Sequence, residues 1–375
     1  MSSNTCSLSQ NSINTINKLW GFESSTQTVI KQSENHTYLV KDNSEQSYIL
    51  RLTPKHHRSV KSIWAELEYL NLIHDQAKLH SQDEKYALNV CPPIAKKVNE
   101  NGEFLLIAEL EEPYETDKEK VWYGVLFEYA QGNSVVDKWI GLTDDSMIVA
   151  IGDAMGRLHK IISEKAGNPE RWDEMAKYIP EISGTHNGAC DLNRIRERAQ
   201  KDHEISKTLI QIYDAELAEF LKSHPIDSEN YGIVHGDINV SNYFAKVQPE
   251  GTKLWIFDFD QVHNNYFGHE LGVVLHTVTF FENDGLGIGK IEGFDGDRFR
   301  ELFLNAYKNA YPPMAKYLDV ESLKKFELLR AFYHTSIAAD ILYLKTENPE
   351  SKNFEEAIIG FCQIVVDKFI KIHTQ

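Results

Sequence analysis

A short apolar segment, Tyr231-Gly232-Ile233-Val234, runs straight into His235-Gly236-Asp237-Ile238-Asn239-Val240-Ser241-Asn242. A second apolar segment, Leu254 to Phe259, follows and ends in acids. No other stretch of the 375 residues restricts the fold as tightly. It reads as strand, loop, strand, and it holds Asp237, Asn242 and Asp258 at fixed offsets around one unit. Phosphoryl transfer from a nucleotide needs such a set. One carboxylate orients an attacking hydroxyl and accepts its proton, while an amide oxygen and a second carboxylate hold Mg²⁺ against the phosphates. The hard-oxygen preference of Mg²⁺ suits Asn242 and Asp258. On an extended strand Leu254, Ile256, Asp258 and Asp260 share one face, so both acids are expected to look into one cavity.

The chain ahead of this unit changes character once. Thr37–Val40 and Ser47–Leu52 flank the polar turn Lys41–Gln46 and predict a hairpin. Ser59–Gln76 then carries Val60, Ile63, Trp64, Leu67, Leu70 and Ile73 at helical spacing. Phe104–Glu109 and Val121–Tyr129 read as two further strands. After Gln131-Gly132 the pattern is helical: Asp144–Ile162 with Thr143 as N-cap, a longer helical region rich in charge over Leu192–Lys222, and mostly helix from Arg298 to Ile372 with breaks near Pro312-Pro313 and Pro349. Asp284–Asp297, with five glycines, reads as a surface loop, and the Ser/Asn-rich first fifteen residues as a frayed end. The expected fold class is α+β and bilobal: a β-rich N-terminal lobe with one helix, residues 1–129, and a larger helical C-terminal lobe, residues 130–375. The connector at Glu128–Gly132 is the expected hinge, with a nucleotide in the cleft beside it, since ligand sites favour such interfaces.

Bulk properties narrow the function class. A formal net charge of −17 argues against nucleic acid and anionic membranes as partners and is compatible with a cationic substrate. Cys6, Cys91, Cys190 and Cys362 form no C-x-x-C pair, which fits a reducing compartment. The N-terminal stretch is polar, no Arg precedes Arg51, and no apolar run is long enough to span a bilayer. A soluble, cytoplasmic protein is expected.

Several stretches together carry a family resemblance: Asn35–Val40, Tyr48–Leu52, Ala65–Leu70, Val125–Tyr129, Gly156–His159, the His-Gly-Asp loop and the Asp-Phe-Asp segment. In these, and in their order from about residue 30 to 275, the chain resembles the aminoglycoside phosphotransferase/choline kinase family, small-molecule kinases with a protein-kinase-like fold. It is most similar there to bacterial phosphotransferases of unassigned substrate, with homoserine kinase-like relatives nearby. The last hundred residues match loosely. The resemblance implies ATP and Mg²⁺ as cofactors and a small-molecule hydroxyl as acceptor. It implies Asp237 as the catalytic carboxylate, and Asn242 and Asp258 as metal ligands. His235 would brace the loop. Arg51 would meet the phosphates, with Glu66 as its partner or Glu68 if the helix register differs. Backbone groups of Glu128, Tyr129 and Ala130 would meet the base. Asp260 stands either behind the metal ligands or as a solvated strand end.

The chain also departs from the family pattern. The turn Gln32–His36 has no glycine, so a G-x-G-x-x-G phosphate loop is absent. Where relatives carry Asp-Leu after the metal Asp, this chain has Glu270-Leu271, and Glu270 is the expected support of the catalytic loop. Gly285–Lys290 has the wrong spacing for a P-loop, and His269-Glu270 lacks the second His of a zinc motif. His159 is expected to be a packed, hydrogen-bonded histidine. The rival readings are a nucleotide-binding pseudokinase or regulatory module, and a protein Ser/Thr kinase on the same fold.

Overall fold

The computed structural model describes residues 8–32, 35–80, 86–95, 106–111, 121–136, 139–180, 192–249, 251–283, 290–347 and 356–373. Ser33 and Glu34 of the glycine-free turn, Cys6, Cys190, residues 104–105, Pro349 and residues 284–289 of the Gly-rich loop lie outside them.

Helix α1 (Gln10–Trp20) takes in residues 10–15 of the end expected to be frayed; residues 1–7 of it lie outside the described residues. Ser9 caps it by accepting from the Ser12 N–H, and Gly21 ends it at φ 71°. Its buried Ile16 and Trp20 settle on the sheet, where the Trp20 indole N–H donates to the Ile94 carbonyl at 2.9 Å. Strands β1 (Ser25–Gln32), β2 (His36–Asp42) and β3 (Ser47–Pro54) follow. The predicted β2–β3 hairpin is present, its turn held by Asp42 Oδ1, which accepts from the Ser44 and Gln46 N–H groups. Helix α2 (Val60–His80), β4 (Tyr86–Val90), β5 (Ala108–Glu111) and β6 (Val121–Glu128) complete this part. The first sheet has the order β1-β2-β3-β6-β5.

The helical part opens with β7 (Asn133–Ser134), α3 (Ile140–Thr143) and α4 (Asp145–Ser163). The cap of α4 is Asp144, not Thr143, and its carboxylate accepts from the Ser146 and Met147 N–H groups. Helix α5 (Pro169–Ala176) comes next. The helical region expected over 192–222 is present as α6 (Leu192–Gln200), α7 (Glu204–Ile212), a π-helical turn and α8 (Ala218–Ser223). Between α6 and α7, Asp202 stands at φ 63°, which no helix accommodates. Then come β8 (Tyr231–Val234), β9 (Tyr243–Gln248), β10 (Gly251–Ile256), β11 (His263–Tyr266) and α9 (Phe267–Glu282). The chain closes with α10 (Gly296–Ala310), α11 (Val320–Glu347) and α12 (Glu356–His373). The expected bilobal α+β layout is therefore present.

Strand β10 pairs antiparallel with β9 and parallel with β4, while β8 pairs with β11. A strand from the sheet-rich part thus joins the sheet that flanks the His-Gly-Asp loop. The largest apolar core runs from α2 and β4 through α4 and β10 to α9 and α10. Gly152 lets α4 approach α10 closely: a Cβ there would stand 2.4 Å from the Phe303 carbonyl oxygen. A second core gathers α6, α7, α11 and α12, and a third lies between α1 and the first sheet.

Candidate active site

The loop after β8 is clamped from behind before it presents any chemistry. His235 is fully buried against Phe259, with ring centroids 4.3 Å apart. Its Nε2–H donates to the Phe257 carbonyl at 3.0 Å, which leaves Nδ1 to accept from the Asp237 N–H at 3.3 Å. The next residue, Gly236, turns at φ 84°, and a Cβ there would meet the Gln261 carbonyl oxygen at 2.6 Å. Its N–H donates to Glu270 Oε1 at 2.7 Å, and Glu270 Oε2 takes His159 Nε2–H at 2.9 Å. His159 Nδ1 in turn shares a hydrogen bond with the Tyr307 hydroxyl at 2.7 Å. Burial pushes the Glu270 carboxyl up, but the hydrogen bonds and charge from His159 and the Gly236 N–H outweigh it and hold it below its ordinary value. The longer glutamate therefore reaches the loop backbone, and a buried chain of three side chains from α4, α9 and α10 stands behind it.

Two groups converge on Asp237. Asn242 spends its amide nitrogen on the Asp237 carbonyl at 2.9 Å and on Oδ2 at 3.1 Å, while its own Oδ1 is 3.5 Å from the Ser241 hydroxyl. Arg330 of α11 donates from Nη2 to Asp237 Oδ1 at 2.7 Å and from Nη1 to the Gly236 carbonyl at 3.2 Å. Nothing local in the sequence announces this arginine, 93 positions away.

The expected alternation of Asp258 and Asp260 fails. Strand β10 ends at Ile256, Asp258 turns into the left-handed region at φ 68°, and Phe259–Gln261 form a 3₁₀ turn. Asp258 faces the cleft. Asp260 accepts from the Asn35 amide at 2.7 Å, and Asn35 Oδ1 accepts from the Thr53 hydroxyl at 2.8 Å. Of the two open readings of Asp260, the solvated strand end is thereby discarded. Burial, with the repulsion of Asp258, pushes its carboxyl up to about 8 against the pull of Arg51.

Opposite, Arg51 of β3 donates to Glu66 Oε2 at 2.8 Å, and Arg58 donates to the same oxygen at 2.5 Å. Glu66 has no exposed surface. Burial raises its carboxyl, and the two guanidinium charges more than offset this. Glu68, the alternative, bonds Arg171 of α5 instead. Arg58 was invisible in the sequence because it lies off the helix end, eight positions before its partner. Among the described residues, Arg51 Nε and Glu66 Oε1 are buried with no hydrogen-bond partner.

A cavity of about 570 Å³ joins these groups. Arg51, Glu66, Asn242 and Asp258 lie along it, Leu39, Ile49, Leu70, Phe244 and Phe257 form its apolar walls, and Glu128, Tyr129 and Ala130 line one edge. The N–H of Glu128 is bonded to the Pro92 carbonyl at 3.0 Å. Cys91 also lines it, its buried thiol pushed up to about 12 and so unreactive. Among the described residues no three His, Cys, Asp or Glu side chains could hold a metal together, and no helix is long and apolar enough to cross a membrane.

The chain is 24% identical over 273 residues to the amicoumacin kinase of Bacillus subtilis (strain 168); the match takes in 70% of this chain and 66% of that protein's length. An amicoumacin kinase solved in complex with AMP-PNP, Ca²⁺ and Ami superimposes with a TM-score of 0.65 at 18% identity, covering 96% of this chain and 93% of that one. A microcompartment-associated aminopropanol kinase gives a TM-score of 0.57 at 14% identity, covering 96% and 98%. The model of the phosphotransferase enzyme family matches residues 26–317, and the chain belongs to that family.

Proposed function

We propose that the protein transfers the terminal phosphoryl group of ATP to a hydroxyl of a small molecule. The observation that carries this is the convergence of Asn242, Asp258, Arg51 and Glu66 on one cavity, with Asp237 bonded to Asn242 though not itself among the lining residues. Asp237 would accept the hydrogen bond of the acceptor hydroxyl and take its proton as the phosphorus–oxygen bond forms. With its nitrogen committed to Asp237, Asn242 offers an oxygen, and Asp258 offers a carboxylate. One amide and one carboxylate, completed by phosphate and water, fit Mg²⁺ better than an all-protein cage would. The relative solved with AMP-PNP and Ca²⁺ supports nucleotide and divalent metal use. Bound there, the ion would neutralise charge on the phosphates.

The unpartnered Arg51 Nε is a donor waiting for an acceptor, and a phosphate oxygen is the natural one. Glu66 would keep Arg51 extended toward it. The apolar walls would hold the base, with backbone of Glu128, Tyr129 and Ala130 reading its edge. We take residues 1–129 as the nucleotide lobe and 130–375 as the lobe that supplies the catalytic loop and the acceptor pocket. Aminopropanol kinase among the relatives and the net charge of −17 favour a cationic acceptor. A screen of amino alcohols, homoserine-like amino acids and aminoglycosides for Mg²⁺-dependent ATP consumption tests the reading. ATP binding without transfer to any acceptor, and without hydrolysis, would overturn it.

A further inference from the structure

We propose that Arg330 is a positioning residue for the phosphoryl transfer, acting through Asp237; the proposal rests on the function argued above. Arg330 lies on α11, beyond residue 317, where the family match ends. The guanidinium touches the loop twice, at Asp237 Oδ1 and at the Gly236 carbonyl, from one planar fork. A rigid fork anchored to the loop backbone by one nitrogen holds Oδ1 in place with the other. Asn242 holds the other oxygen, so the Asp237 side chain is pinned at both ends.

The loop backbone does not need Arg330. Glu270 holds the Gly236 N–H, His235 ties the loop to Phe257, and the Asn242 carbonyl accepts from the Phe257 N–H at 3.0 Å. Helix α11 is likewise seated by its own buried Phe326, Leu329 and Phe332. What Arg330 adds is the orientation of one carboxylate. In the transfer the acceptor oxygen bonds phosphorus, the bond to the leaving diphosphate breaks, and the hydroxyl proton passes to Asp237. Arg330 gains and loses nothing in that step; it keeps the receiving oxygen where the hydroxyl arrives. Both side chains are about one-fifth exposed, so the pair is open enough for an acceptor to reach Asp237.

The experiment is Arg330→Met and Arg330→Lys, each made alone and with Asp237→Asn. Turnover is followed as Mg²⁺-dependent ATP hydrolysis with water as acceptor and with the best acceptor of the screen. Thermal stability with and without MgATP reports folding. Arg330→Met is expected to lower kcat about 100-fold, the scale of a small misplacement at a reacting group, with the KM for ATP within about threefold. Arg330→Lys should recover part of the loss, since an ammonium can still pair with Oδ1. In the Asp237→Asn background Arg330→Met should cost less than about threefold, because its target is gone. Where that background leaves no measurable rate, the kcat-against-KM split and the lysine rescue decide. Unchanged turnover in Arg330→Met, or a loss as large without Asp237 as with it, overturns the proposal alone. A wild-type protein with no turnover overturns the phosphotransferase reading and the proposal with it.

Discussion

Asp237→Asn keeps the shape and hydrogen-bonding reach of the side chain while removing the carboxylate that would take the proton. We expect turnover to fall about 10²- to 10⁴-fold, with ATP affinity by calorimetry changed only a few-fold. Near-normal turnover would remove Asp237 from the role assigned to it. Glu66→Ala tests the opposite wall. It strands two buried guanidinium groups, and loss of one partner of a buried ion pair costs about 3–5 kcal/mol. Denaturant unfolding that shows less than about 1 kcal/mol would mean the arginines find other partners. How legible these residues were follows from how local their chemistry is. Asp237 and Asn242 sit in one loop and announce themselves by spacing; Arg51 and Glu66 needed the family's order to be paired. Arg58 and Arg330 could not be read at all, because a guanidinium that reaches a site across the fold leaves no periodicity behind.

Elements were read well where a pattern ran its full length and badly where one residue broke it. The β2–β3 hairpin and α2 follow from alternation and from helical spacing. Asp258 spoiled the reading of the acidic strand by adopting a left-handed conformation that no alternation foretells. Asp202, also left-handed, divides the helical region read over 192–222 at a point that no periodicity marks. Helix α9 carries the element-scale test. Its Glu270 has a folded value below the ordinary 4.5, so its charge contributes stability that is fully present above pH 4.5 and lost as pH falls through the lower value. Thermal melts of wild type and Glu270→Gln should therefore differ near neutrality and converge in acid. Curves that stay equally far apart into the acid range would show that the His159–Glu270 pair contributes nothing through charge.

At the scale of the whole molecule, the switch from alternating to helical pattern at Gln131-Gly132 was enough to see two lobes, but not to see β4 crossing to pair with β10. That pairing, the Tyr69 hydroxyl on the Ile233 carbonyl and the Asn35–Asp260 bond all tie the sheet-rich part to the part that carries the His-Gly-Asp loop. A ligand held between such tied halves should stabilise both at once. MgATP at 100 times its dissociation constant should add about 2.7 kcal/mol and raise one cooperative melting transition. Two separate transitions, only one of them moved by nucleotide, would contradict the tie.

The doubly held Glu66 has one more consequence. Protein kinases are switched by swinging the helix that bears this glutamate, making and breaking its ion pair. Here the carboxylate is sealed from water and gripped by a second arginine that also bonds the Ser62 carbonyl and hydroxyl of the same helix. With its ion pair kept from water in this way, the helix is expected to stay in place rather than to swing. On the proposed function, the enzyme stands ready whenever its substrates arrive, and its pace is set by their supply. Progress curves started with acceptor should accordingly rise without a lag.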